Sequence, residues 1–208
     1  MPPETVLAFD TSAAHCAAAL LLPDGRCLTR NEAMTKGQAE RLMSLLADLL
    51  AEAGLGWSAL SRIGVGTGPG NFTGIRISVA AARGLAVGLG IPAIGVGRLE
   101  AMAHGLPRPL VVAEAARSGE IWVQAFTHTP GELVVLDDAG LRAAYDGWAA
   151  TGSAAVATGG QLLAPAMPLA EATARIAATR LPGARPAPIY LRPADAAPPS
   201  DPPPLILP

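Results

Sequence analysis

Residues 63–88, I-G-V-G-T-G-P-G-N-F-T-G-I-R-I-S-V-A-A-A-R-G-L-A-V-G, constrain the fold of this chain more than any other stretch. A short apolar strand enters a glycine-proline turn, and a long apolar helix leaves it. At about 100° per residue, Ile75, Val79, Ala80, Ala82, Leu85, Ala86 and Val87 spread round most of the wheel. Its only charges, Arg76 and Arg83, fall on one stripe. A helix with so little polar surface must be covered on two sides. One side belongs to the chain's own sheet, and a partner protein is expected to supply the other. Ala80, Gly84 and Gly88 recur every four residues, and small side chains at that spacing let a second helix approach closely.

The surrounding pattern predicts a strand at 5–9, a hairpin of strands at 15–22 and 26–32, and a helix at 37–53 closed by Gly54. A strand at 62–66, the apolar helix from Asn71, a strand at 92–96 and a short helix ending near Ala103 follow. On the 37–53 helix, Leu42, Met43, Leu45, Leu46, Leu49, Leu50 and Ala53 cover roughly 160°, wider than the ~100° that one sheet contact takes. The order β-β-β-α-β-α-β is typical of an α/β protein with the actin-like ATPase (ribonuclease H-like) fold. Strands at 110–113, 121–127, 133–136 and 154–158, a helix at 169–179 and an extended run at 189–192 make a smaller second sheet region. The expected organisation is an N-terminal lobe over 1–105 carrying the partner-binding helices, a reduced lobe over 106–192, and a Pro-rich, mobile, partly polyproline II tail over 193–208.

Half of the 208 residues are apolar, enough for a sizeable core. Net charge is −2, Lys36 is the only lysine, and the arginines are scattered, so the chain lacks the concentrated basic footprint with which proteins grip RNA. No run of 18 apolar residues and no leader pattern occurs, which leads us to expect a cytoplasmic protein with no membrane association. A two-residue turn at Asp24-Gly25 would set Leu22 opposite Cys27 and Ala33 opposite Cys16. The thiols would then lie about 20 Å apart, too far for a disulfide, so two buried reduced cysteines are expected.

Asp10-Thr11-Ser12 ends the first strand, where actin-like nucleotide binders place an aspartate before a phosphate-cradling hairpin. It is therefore the candidate for a residual nucleotide loop, although the turn reads Ser12-Ala13-Ala14 and lacks the glycine. The alternative is that Asp10 and Ser12 satisfy backbone donors at a strand end. Residues 66–74 fail the Walker pattern, because Ile75 and Arg76 follow Gly74, and fail the dinucleotide pattern at Asn71. The bland reading is a turn whose glycines take unusual φ, with Asn71 as helix cap. His15, His104 and His128 fall in separate segments outside any metal motif, Ser118 has no base beside it, and no nucleophile elbow exists. No nucleophile, base and oxyanion donor assemble, and no protein metal site is expected.

L-A-F-D-T-S near the start, G-T-G-P-G-N-F-T-G-I-R at 66–76, G-L-A-V-G-L-G-I-P-A-I-G-V after it, A-R-S-G-E-I-W at 116–122 and I-Y-L-R at 189–192 together resemble the TsaB (YeaZ) family. The resemblance implies an actin-like fold in two lobes, the second reduced. It also implies a non-catalytic scaffold in the bacterial machinery that adds threonylcarbamoyl to the adenosine beside the tRNA anticodon. The implied partners are the catalytic paralogue TsaD, the small ATPase TsaE docking on that pair, and a second copy when the chain is alone. tRNA is met only through the complex, and ATP only at the level of the complex. Pairing in the family uses the first two helices, here 37–53 and 71–89. Two positions depart from the family pattern. Gly37-Gln38-Ala39-Glu40 replaces a usual histidine near the first helix, and Ala115-Ala116-Arg117 replaces a usual Asp-Ala-Arg.

The residues expected at the partner interface are Leu42, Leu46, Leu49, Leu50, Ile75, Arg76, Val79, Arg83 and Val87, with Val79→Asp expected to break pairing. The competing expectation is an autonomous actin-like ATP-binding phosphotransferase, in which Asp10 would organise a metal-nucleotide complex.

Overall fold

The computed structural model describes residues 4–191. The Pro-rich segment at 193–208 and its expected mobility lie outside the described residues.

β1 (Val6–Asp10), β2 (His15–Leu21) and β3 (Cys27–Ala33) form an antiparallel meander. After α1 (Gln38–Glu52), β4 (Arg62–Gly66) joins β1 in parallel; after α2 (Phe72–Leu89), β5 (Ala93–Val96) joins β4 in parallel. The sheet order is β3-β2-β1-β4-β5. Every residue of β1 and β4 is buried, as expected of central strands covered on both faces.

Alternation assigns the two faces. Leu7, Phe9, Leu20, Ile63 and Val65 point to one side and pack under α1 and α2. Ala8, Ala17 and Ala19 point to the other. That second face is small-on-small, and α5 (Leu169–Thr179) lies on it through Ala170, Ala174 and Ala177. A Cβ added at Gly64 would lie 3.0 Å from the Cβ atoms of both Ala177 and Ala8, so the absence of a side chain there sets how closely α5 approaches.

α3 (Arg98–Ala103) leads to a second sheet, with β6 (Leu110–Ala115), β7 (Ile121–Phe126) and β8 (Pro130–Leu136), then α4 (Asp138–Tyr145) and the short β9 (Ala150–Thr151), in the order β8-β7-β6-β9. Leu99 and Ala103 of α3 pack on one face of it, with Leu110, Val112 and Phe126. Leu141 of α4 fills the other with Val111, Ala113 and Val123. Ala101 of α3 meets Ala172 and Ile176 of α5, which joins the two halves.

Several expectations need correction. Gly25 takes φ 87° in a three-residue loop closed by Leu22 N donating to Arg26 O at 2.8 Å. The extra residue shifts the hairpin, so Leu21 faces Cys27 and Cys16 faces Glu32. Both cysteines are free, but only Cys16 is fully buried; Cys27 is half-buried on the edge strand. Residues 154–158 hold a 3-10 turn over Ala155–Thr158 instead of a strand, and α4 was not expected. α5, inside the 106–192 range, packs on the first sheet. α2 has the length and hydropathy of a membrane span, yet its inner face packs on the sheet and its outer face carries Arg76 and Arg83.

Candidate functional site

Gly66, Gly70 and Gly74 allow close approach to the end of β1, while Gly68 packs against Ile75 and Ile189. A side chain at Gly66 would collide with the Asp10 carboxylate, one at Gly70 with Ser12, and one at Gly74 with the Thr11 carbonyl. Thr11 Oγ1 donates to Gly74 O at 2.6 Å, and Asn71 N donates to Ser12 O at 2.6 Å. Asn71 Oδ1 accepts from Gly74 N at 2.9 Å, the expected helix cap.

Beneath this turn Asp10 is almost fully buried. Burial by itself pushes its carboxyl up. The His15 hydrogen bond and charge, with the Ser12 N–H and hydroxyl, outweigh that and hold it below its ordinary value. The Asp10 Oδ1 atom lies 2.9 Å from His15 Nε2 and 2.9 Å from Ser12 N, and Ser12 Oγ donates to it at 2.8 Å. Asp10, Thr11 and Ser12 are thus buried and engaged by the chain's own groups. This is the arrangement of the alternative reading, in which Asp10 satisfies donors at the strand end, here Ser12 and His15. Ser118 sits in a turn at φ 61°. Among the described residues no three His, Cys, Asp or Glu side chains gather where they could hold a metal.

The expected interface set divides in two. Leu42, Leu46, Leu49, Leu50, Ile75 and Val79 all face the sheet and are buried in this chain's own core. That corrects their assignment to a partner: on a nearly all-apolar helix, hydrophobicity alone does not say which side faces inward. On α2, Ile75 and Val79 went to the sheet with Gly74, Ser78 and Ala82, and Ala80, Gly84 and Gly88 to the outside together with Val87. Arg76, Arg83 and Val87 are exposed, with Thr73, Ala80, Gly84 and Gly88 on the same outward face. Val87 is 75% exposed. A Cβ added at Gly84 or Gly88 would meet nothing within 4 Å, so no group among the described residues explains the missing side chains. On α1 the outward apolar surface is only Met43 with Ala39, Ala47 and Ala51, beside the Arg41 ion pairs to Glu32 and Asp48.

One feature of this face escaped sequence reasoning. The chain returns over the glycine turn, with Ile189 N donating to Thr67 O at 2.8 Å. Tyr190 then stacks on Phe72 at 4.8 Å between ring centroids. Arg76 lies 3.7 Å over the Phe72 ring, and its Nε donates to Tyr190 Oη at 2.8 Å. Nothing local to Tyr190 signals a partner 114 residues away.

A family model for TsaD, tRNA N6-adenosine threonylcarbamoyltransferase, matches residues 32–139, more than half of the chain. The chain belongs to the TsaD/TsaB (YeaZ) family. The tRNA threonylcarbamoyladenosine biosynthesis proteins TsaB of Haemophilus influenzae and Escherichia coli are 35% and 34% identical to it, over 57% and 56% of this chain. The chain spans about half the length of these curated relatives, 52% of each. YeaZ from Pseudomonas aeruginosa superposes with a TM-score of 0.73 at 28% identity, covering 90% of this chain and 100% of that one. The ethanolamine utilization protein EutJ from Carboxydothermus hydrogenoformans, at TM-score 0.50 and 14% identity, shares the fold. The actin-like α/β architecture therefore holds for this family member, with the first sheet carrying the outward helix.

Proposed function

We propose that this chain is a non-catalytic subunit in tRNA threonylcarbamoyladenosine biosynthesis that pairs with the TsaD transferase through the outer face of α2. The observation that carries this reading is the row of Ala80, Gly84, Val87 and Gly88, open to solvent on a helix otherwise seated on its sheet. Small residues at four-residue spacing accept a second helix at close range, and Arg76 and Arg83 border the row as polar rim. A specific interface needs about 1,000 Å² in total, so Met43 and the outward alanines of α1 are assigned to the same surface as the α2 row. We assign TsaE, the self-paired form of the lone chain, and ATP to this same assembly. tRNA then meets the chain only indirectly, and its place is the cytoplasm with the tRNA. The autonomous phosphotransferase reading is disfavoured by the burial of Asp10 under the glycine turn.

The test is co-expression with the TsaD of the same organism, followed by sizing. The wild-type chain is expected to co-elute with it, and Gly84→Leu to elute alone while keeping its melting temperature. Co-elution of folded Gly84→Leu at wild-type yield overturns the reading.

A further inference from the structure

We propose that Arg76 and Arg83 make the outer face of α2 selective for a partner helix that carries carboxylates, and against a second copy of this chain; this deepens the pairing reading above and rests on it. α2 has no acid anywhere along its length, and both of its charges stand on the outward face. Neither has an ion-pair partner among the described residues. At the helical rise the two are about 10 Å apart, with Ala80 of the row between them. The face is therefore a small-residue groove bordered by two uncompensated positive charges.

Arg76 is already held in place. Its guanidinium lies 3.7 Å over the Phe72 ring, and its Nε donates to Tyr190 Oη at 2.8 Å. Its Nη1 and Nη2 atoms have no partner among the described residues, and such a pair of donors grips a carboxylate. A side chain fixed before the partner arrives loses less entropy on binding. Arg83 stands exposed beside Gly84, in the middle of the row. A helix seated on Ala80, Gly84 and Gly88 brings its own side chains within reach of both arginines, and two carboxylates about two turns apart would meet them.

A second copy fits this face less well. In a two-fold pair of α2 helices centred on the row, each residue near the axis meets its own counterpart. The two Arg83 side chains then face each other, and like charges at a closing interface oppose binding. α1 offsets this only in part. On its exposed face Asp48 is paired with Arg41 and Glu52 with Arg30, which leaves Glu40 as the acid without a pair among the described residues.

The test measures association of the full chain by sedimentation between about 50 and 500 mM salt. Affinity for the TsaD of the same organism is expected to fall about tenfold over that range, because salt screens the attraction, whereas self-association of the lone chain holds or strengthens. Arg83→Gln keeps most of the side chain and drops its charge. At low salt it should bind TsaD about threefold less tightly and self-associate about threefold more tightly, with the wild-type melting temperature. A TsaD affinity indifferent to salt overturns the proposal, as does self-association no stronger in Arg83→Gln than in the wild type. So does wild-type self-association that salt weakens, because an acid of the second copy then meets the arginines. A wild-type chain that never co-elutes with TsaD overturns the pairing reading and this one together; a stable complex with any of those three responses overturns this one alone.

Discussion

At the residue scale, the chain's most constrained point is the contact between the end of β1 and the glycine turn. Gly74 faces the Thr11 carbonyl with no room for a methyl group, and backbone cannot yield as a side-chain tip can. Gly74→Ala is expected to cost about 1–3 kcal/mol of stability, read by urea denaturation. Asp10 is the buried carboxylate expected to shape the acid side of the stability profile. Its folded-state value lies below the unfolded one, so its contribution is present above the ordinary carboxylate range and is lost as pH falls through the folded value. Asp10→Asn should therefore lower stability at pH 7 by about 1–3 kcal/mol and flatten the acid limb of the stability profile. An acid limb identical to wild type would show that another carboxylate governs it. The glycines were legible as a special turn; what they approach was not, because close approach across 63 residues leaves no local trace.

At the scale of the element, α2 is a helix with two different apolar faces. Val79 is 3% exposed against the sheet, whereas Val87 is open. The two positions separate folding from association. Val79→Asp buries an unpaired charge and should destabilise the protomer by about 3–5 kcal/mol, visible in its melting curve without any partner. Gly84→Leu should leave the melting curve in place and abolish pairing. The wheel reading of α2 counted Ile75 and Val79 among its anchors, and these face the sheet, whereas Arg76, Arg83 and Val87 face out. β-branched and long side chains fill a sheet face better than alanine and glycine do. The α1 leucines likewise turned inward, and its exposed face mixes Met43 and alanines with Glu40, Ser44, Asp48 and Glu52.

For the whole molecule, α5 decides cooperativity. It covers the first sheet and meets α3, which in turn covers the second sheet. Arg180, just past α5, donates to Gly95 O at 2.7 Å and pairs with Glu100, tying the same three elements. We expect one calorimetric transition for the wild-type chain, and two separated transitions after Ala172→Asp, which places a charge in the α3–α5 joint. Gly64→Val, which forces Ala177 and α5 away from the sheet, should lower the single midpoint without splitting it, at about 1–3 kcal/mol.

The sequence by itself determined the strand-turn-helix at 62–89, the Asn71 cap, the ends of α5 to the residue, and the presence of more apolar helix surface than one sheet needs. These are periodicity and capping signals, written within a few turns of chain. Only the tertiary structure decided the hairpin register, the return of α5 to the first sheet, the burial of Asp10 by His15 and the clasp of Tyr190 on Arg76. Each depends on a contact between small or polar groups whose partners are set by packing, and an alanine or a lone tyrosine carries no local mark of what it will touch.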